Sequence, residues 1–185
     1  MMNLFNPFRY LAGTKSLILG LIFIVSTVFL LYSGGLIQDS YLHIAPTEAT
    51  IWGILLMQLL WWIVPALLYY VGGLLLSRSH IRIVDVLGTT AFAQLLLIPM
   101  VAPMLLPSVK NGMESVLQAV QQGLQPVMSD MIGLMISGIV TTLFLVLFYV
   151  WNYNAFAISC NVRGAKAIIY FIAVQILVTI MGALL

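Results

Sequence analysis

The chain has 185 residues, 63% of them hydrophobic and only 6% charged, with a mean hydropathy of +1.14 and a formal net charge of +2. A soluble domain carries roughly 25% charged residues to cover its surface, so this composition excludes a water-facing fold and makes lipid the main solvent. The single cysteine, Cys160, excludes an internal disulfide and a multi-cysteine metal site. At about 20 residues per crossing, the predicted fold is all-α: a polytopic integral membrane protein, a bundle of five transmembrane helices with one short amphipathic outer helix.

Residues 1–15 read as a cytoplasmic amphipathic lead-in, with Phe5, Phe8, Tyr10 and Leu11 in the headgroup layer and Arg9 and Lys15 facing phosphates. The first span is predicted over about 16–37, an uncleaved anchor rather than a signal peptide because its apolar run is long and no A-x-A site follows. Residues 38–50 read as an outer loop holding Asp39, His43 and Glu48, with Thr47 as the N-cap of the next helix. The second span, about 50–76, carries Trp52, Trp61 and Trp62 in its outer half, Pro65 as a predicted kink, and Gly72-Gly73 where another backbone could approach.

A short basic turn with Arg78, His80 and Arg82 leads into the third span, about 84–106. Its inner half is polar (Asp85, Thr89, Thr90, Gln94), and Pro99 and Pro103 strip hydrogen bonds from one face of its outer half, so that end is predicted to bend or unwind. Over about 108–125, Val109, Met113, Val116, Leu117, Val120 and Leu124 recur at three- and four-residue steps. This is an amphipathic helix ended by Gly123 and Pro126. The fourth span, about 130–157, bears a small-residue stripe of Gly133, Ser137 and Thr141 and an interfacial end at Trp151–Asn154. A second basic turn, Asn161–Lys166, has Gly164 as its left-handed residue, and the last span covers about 166–185.

Five spans put Arg9, Lys15, Arg78, Arg82, Arg163 and Lys166 on the N-terminal side with one acid, Asp85. The other side holds Lys110 with Asp39, Glu48, Glu114 and Asp130. Basic residues mark the cytoplasmic face, so the N-terminus is expected inside and the C-terminus outside.

Four sets of residues could carry chemistry. Asp85 is either an intramembrane carboxylate that titrates during transport, or a first-turn acid paired with Arg82 or Arg78. Gln58, Gln94 and Gln175 place one amide in each of three spans and either line a polar site or tie helices together. Asp85, Gln94, Gln175 and Arg82 form the candidate polar intramembrane cluster. Arg9, Lys15, Arg78, Arg163 and Lys166 either meet lipid headgroups or a partner, or only set topology. Cys160 is a reduced structural thiol or a palmitoylation site. His43 and His80 fall on opposite sides, and no H-E-x-x-H or G-x-S-x-G motif is present. No enzyme activity, metal, cofactor or nucleic-acid partner is expected.

Five spans, Gly72-Gly73, a basic turn, Asp85-Val86-Leu87-Gly88, and Ala91-Phe92-Ala93-Gln94 closing on Pro99 together resemble the Yip family of Ypt/Rab-interacting multi-pass membrane proteins. Asn154 through Arg163-Gly164-Ala165-Lys166-Ala167 is similar to that family's final turn and span, so the likeness covers about 50–185. The resemblance implies a five-span helical domain with a cytoplasmic N-terminus. Eukaryotic relatives are associated with Rab GTPases and early secretory traffic through a long N-terminal region. With about 15 residues before its first span, this chain resembles a prokaryotic-type member in the inner membrane, and GTPase binding is not expected. The expected function is non-enzymatic: organising or shaping membrane, or scaffolding membrane-protein partners or a homo-oligomer, through helix packing and lipid contact. The alternative is a small transporter or channel built on the proline-broken spans and the polar strip at Asp85 and Gln94.

Overall fold

A computed structural model of the chain describes residues 5–11, 13–41, 43–123, 125 and 128–184. Leu124 of the amphipathic stripe and the helix-ending Pro126 lie outside the described residues, as do the side chains of Ser129 and Asp130. Seven α-helices are named in chain order: α1 Thr14–Gly34, α2 Ile51–Leu76, α3 Ile83–Ala93, α4 Leu97–Val101, α5 Pro107–Gln122, α6 Met128–Ser159 and α7 Ala165–Leu184. Among the described residues, five helical segments are long and apolar enough to cross a membrane: α1, α2, the run Ile83–Leu105, Met131–Ser159 of α6, and α7. The protein is a multi-pass helical membrane protein.

The third span is the centre of the bundle. Its most apolar window is 61% buried inside the protein, against 33% or less for each of the others. It packs on α1, α2 and α6. The closest of these contacts is with α1, and small residues make it possible. A Cβ at Gly20 would overlap the backbone of Ala91, and one at Gly88 would sit 2.6 Å from the Gly13 carbonyl. Ser16 Oγ donates to the Gly88 carbonyl at 2.9 Å, satisfying a hydroxyl that lipid could not.

Prolines set the shape of this span. Pro99 offers no N–H to the Leu95 carbonyl and its ring crowds that oxygen, as Pro103 does to the Pro99 carbonyl. Gln94–Leu96 accordingly tightens to a 3₁₀ turn, α4 follows, and Ala102–Leu105 is 3₁₀ again. The helix narrows around its lost bonds rather than unwinding. In contrast, α2 runs through Pro65 as one helix.

Four local expectations are corrected. The predicted end of the first span and the loop over 38–50 together form a short antiparallel hairpin, β1 Leu36–Gln38 with β2 Ile44–Pro46, in the register Ile37 opposite Ala45. It follows directly from α1, which ends because Gly35 takes the left-handed conformation (φ 65°). The N-cap of α2 is Thr50, whose hydroxyl accepts from the Gly53 N–H, while Thr47 caps only the turn before it through Ala49. Third, Phe8 does not face the headgroup layer but the protein interior. Pro7–Arg9 forms a 3₁₀ turn that drives the Phe8 ring, 1% exposed, between Phe92 and Trp151 at centroid distances of 6.1 and 5.8 Å. Trp151 is likewise a core residue, stacked on Phe92, rather than an interfacial one.

Helix α5 lies along the first half of α6, with Gly133 against the backbone of Ser108. Of the predicted stripe only Val109 is buried and Val116 half-buried, while Met113, Leu117 and Val120 remain exposed; the buried face is instead Val109, Gly112 and Ala119.

Candidate functional site

The two ends of the bundle differ in chemistry. At one end Asn154 Nδ2 donates to the Phe5 carbonyl (2.7 Å), Gly13 abuts Asp85, and Asn161 Nδ2 reaches Ser79 Oγ at 3.3 Å. The N-terminal segment and both basic turns therefore meet there. At the opposite end Gly182 abuts Ser40, Gly34 abuts Leu105, and the hairpin closes over α2 through a Trp61 Nε1 bond to the Gln38 carbonyl (3.2 Å).

At the turn end, the residues following α2 and those between α6 and α7 border an open cavity of about 410 Å³. The turn after α2 supplies Arg78, Ser77 and Ser79, with the two serine hydroxyls 2.8 Å apart. The turn after α6 supplies Asn161 and Arg163, and the first turn of α7 supplies Lys166. That second turn is made by two left-handed residues, Asn161 (φ 50°) and Gly164 (φ 80°). Among the described residues, no carboxylate lines the cavity. Among the described residues the one contact within 4 Å between a basic and an acidic side chain is His43 with Asp39, at the hairpin end.

Arg9 and Lys15 do not join this group. Lys15 borders a separate cavity of about 550 Å³ with Gly13, Thr14, Arg82 and Asp85. Asp85 is half-buried there, in the first turn of α3, and makes no ion pair with Arg82 or Arg78 within 4 Å. It is far from a set with Gln94 and Gln175, which occupy the packed interior at 2% and 7% exposure.

The interior amides are divided between two contacts. Gln58 Nε2 donates to Gln94 Oε1 (3.4 Å), linking α2 to the 3₁₀ turn of the third span. Gln175 Nε2 donates to the Tyr69 hydroxyl, linking α7 to α2. The second contact has a third member, Tyr41, whose hydroxyl is buried beside Gln175 and Tyr69; burial pushes it well above its usual pKa. Among the described residues, Gln58 Oε1 and Gln175 Oε1 lack a hydrogen-bond partner. Neither tyrosine stands out in the sequence: Tyr69 sits in a run rich in aromatic and apolar residues, and Tyr41 in the polar loop between Ser40 and His43.

Cys160 follows α6 and is fully buried against Gly73, its thiol donating to the Tyr69 carbonyl (3.4 Å). Burial pushes its pKa up to about 11. Gly72-Gly73 thus admits side chains, the Tyr170 ring and the Cys160 sulfur, rather than another backbone. Among the described residues, no three His, Cys, Asp or Glu side chains converge. Comparison with protein-family models, with curated proteins and with solved structures finds no match to the chain.

Proposed function

We propose that the chain is a non-enzymatic membrane protein of the Yip type that organises or shapes the bilayer through helix packing and lipid contact. Its N-terminus and both basic turns face the cytoplasm of a bacterial cell, and its last span ends on the far side of the inner membrane. The observation that carries this reading is the gathering of Arg78, Arg163 and Lys166 around one cavity with no acid to neutralise them. Cations held together at a membrane surface attract anionic headgroups or an acidic partner surface. The interior supports a structural role, since Gln58 and Gln94 bond each other across helices at 0% and 2% exposure.

Reconstitution of the purified protein into vesicles of defined composition tests this. The expected result is a change in vesicle curvature or clustering, imaged by electron cryo-microscopy, that scales with protein density. A second reading, a small transporter, draws on the interrupted third span and the unpartnered Gln58 and Gln175 oxygens. Solute or ion flux into vesicles of unchanged shape, abolished by Asp85→Asn, would favour it instead.

A further inference from the structure

We infer that the cavity between the two basic turns is a binding site for the phosphate headgroup of an anionic phospholipid, held by Arg78, Arg163 and Lys166. The inference rests on the membrane-organising reading and gives it a ligand.

Charge comes first. Three basic side chains border one space of about 410 Å³, within the ~300–1,000 Å³ range of ligand sites. Like charges held together repel, and no carboxylate of the lining offsets them. Asp85, the acid at this end, belongs to the neighbouring cavity with Lys15 and Arg82.

Hydrogen-bonding capacity points the same way. The guanidinium groups of Arg78 and Arg163 are planar forks that match phosphate oxygens, and Lys166 adds a point charge. Ser77, Ser79 and Asn161 add hydroxyl and amide donors on the same wall. Helix α7, 20 residues long, begins at Ala165 beside Lys166, so its first unpaired amides and the positive end of its dipole lie at the cavity.

Position selects a lipid over a soluble phosphate. The cavity opens where two membrane spans end, and Leu76 and Ala167 form part of its wall. Just below, α2 exposes Leu74, Leu75 and Leu76, and α7 exposes Ile168 and Ile169. A diacyl lipid can place its phosphate among the cations while its chains lie on these aliphatic side chains. A net negative headgroup is favoured over a zwitterionic one, because a choline would meet three cations.

The test is native mass spectrometry of the full chain in detergent, titrated with phosphatidylglycerol or phosphatidylcholine of identical acyl chains. Wild type is expected to retain phosphatidylglycerol about 10-fold more tightly than phosphatidylcholine. The triple variant Arg78→Gln/Arg163→Gln/Lys166→Gln loses that preference, Arg163→Gln alone loses part of it, and Lys110→Gln at the opposite end keeps it. All three cavity cations are exposed, and a thermal unfolding profile matching wild type confirms that each variant is folded. Equal retention of the two lipids, or selectivity preserved in both cavity variants, overturns the inference. So does displacement of phosphatidylglycerol by excess glycerol phosphate, which would make the ligand a soluble phosphate. Lost selectivity with vesicle reshaping intact overturns this site alone; selective binding with inert vesicles overturns the membrane-organising function alone.

Discussion

At Gly20 a single hydrogen decides how close two helices come. Any side chain there would run into the Ala91 backbone, and at Gly88 into Gly13. Gly20→Ala should therefore destabilise the protein by about 1–3 kcal/mol, the usual range for overpacking. Gly138→Ala meets nothing within 4 Å and should be neutral or slightly stabilising. Equilibrium unfolding in mixed detergent compares the pair directly. Cys160 gives a pH-dependent prediction. Its thiol ionises near 9.0 when unfolded and near 11 in the fold. Between those values the native state keeps a proton that the unfolded state releases, so stability falls as pH rises from about 9 to about 11 and is unaffected below that window. The part of the slope between about pH 9 and 10, below the range where Tyr41 contributes a loss of the same sign, should vanish in Cys160→Ser, measured by unfolding across the same pH series. The Ser16–Gly20 and Gly88–Ala91 spacings were visible in the sequence as small residues, but nothing there says which small residues meet. Gly138 and Gly20 look alike until the packing separates them.

Among the elements, the third span joins the polar interior to the proline breaks. Replacing Gln58 or Gln94 singly by Leu leaves one buried amide without its partner, at a cost of about 1–2 kcal/mol. The double Leu variant should cost no more than either single change. A double-mutant cycle on unfolding free energies reads this coupling, and strict additivity would show that the two amides act independently. The positions of the spans were legible because hydrocarbon demands about 20 apolar residues per crossing. The hairpin was not. Leu36–Gln38 and Ile44–Pro46 are three residues each, too short for alternation to register against an apolar background. The burial of Phe8 was also hidden, because an aromatic beside a basic residue near a span reads equally well as an interfacial anchor. The gap it fills exists only once α3 and α6 are side by side.

For the whole molecule, the organising feature is a bundle with a basic end and a weakly acidic one. The asymmetry of Lys and Arg was readable because it depends only on counting turns. The cavity was not readable: its two halves come from segments 82 residues apart at Ser79 and Asn161, and no local pattern reports their meeting. Asp85 shows the converse, since its neighbours in sequence, Arg78 and Arg82, form no ion pair with it in the fold. Sidedness is the property on which lipid recognition at this cavity depends, because an anionic leaflet must face the cations. In a Cys160→Ser background, single cysteines introduced as Arg163→Cys and Lys110→Cys, both at exposed positions, can be probed in intact cells with a membrane-impermeant maleimide. The account predicts labelling at position 110 and protection at position 163 until the cells are lysed. Labelling of both from outside, or of position 163 alone, would contradict it.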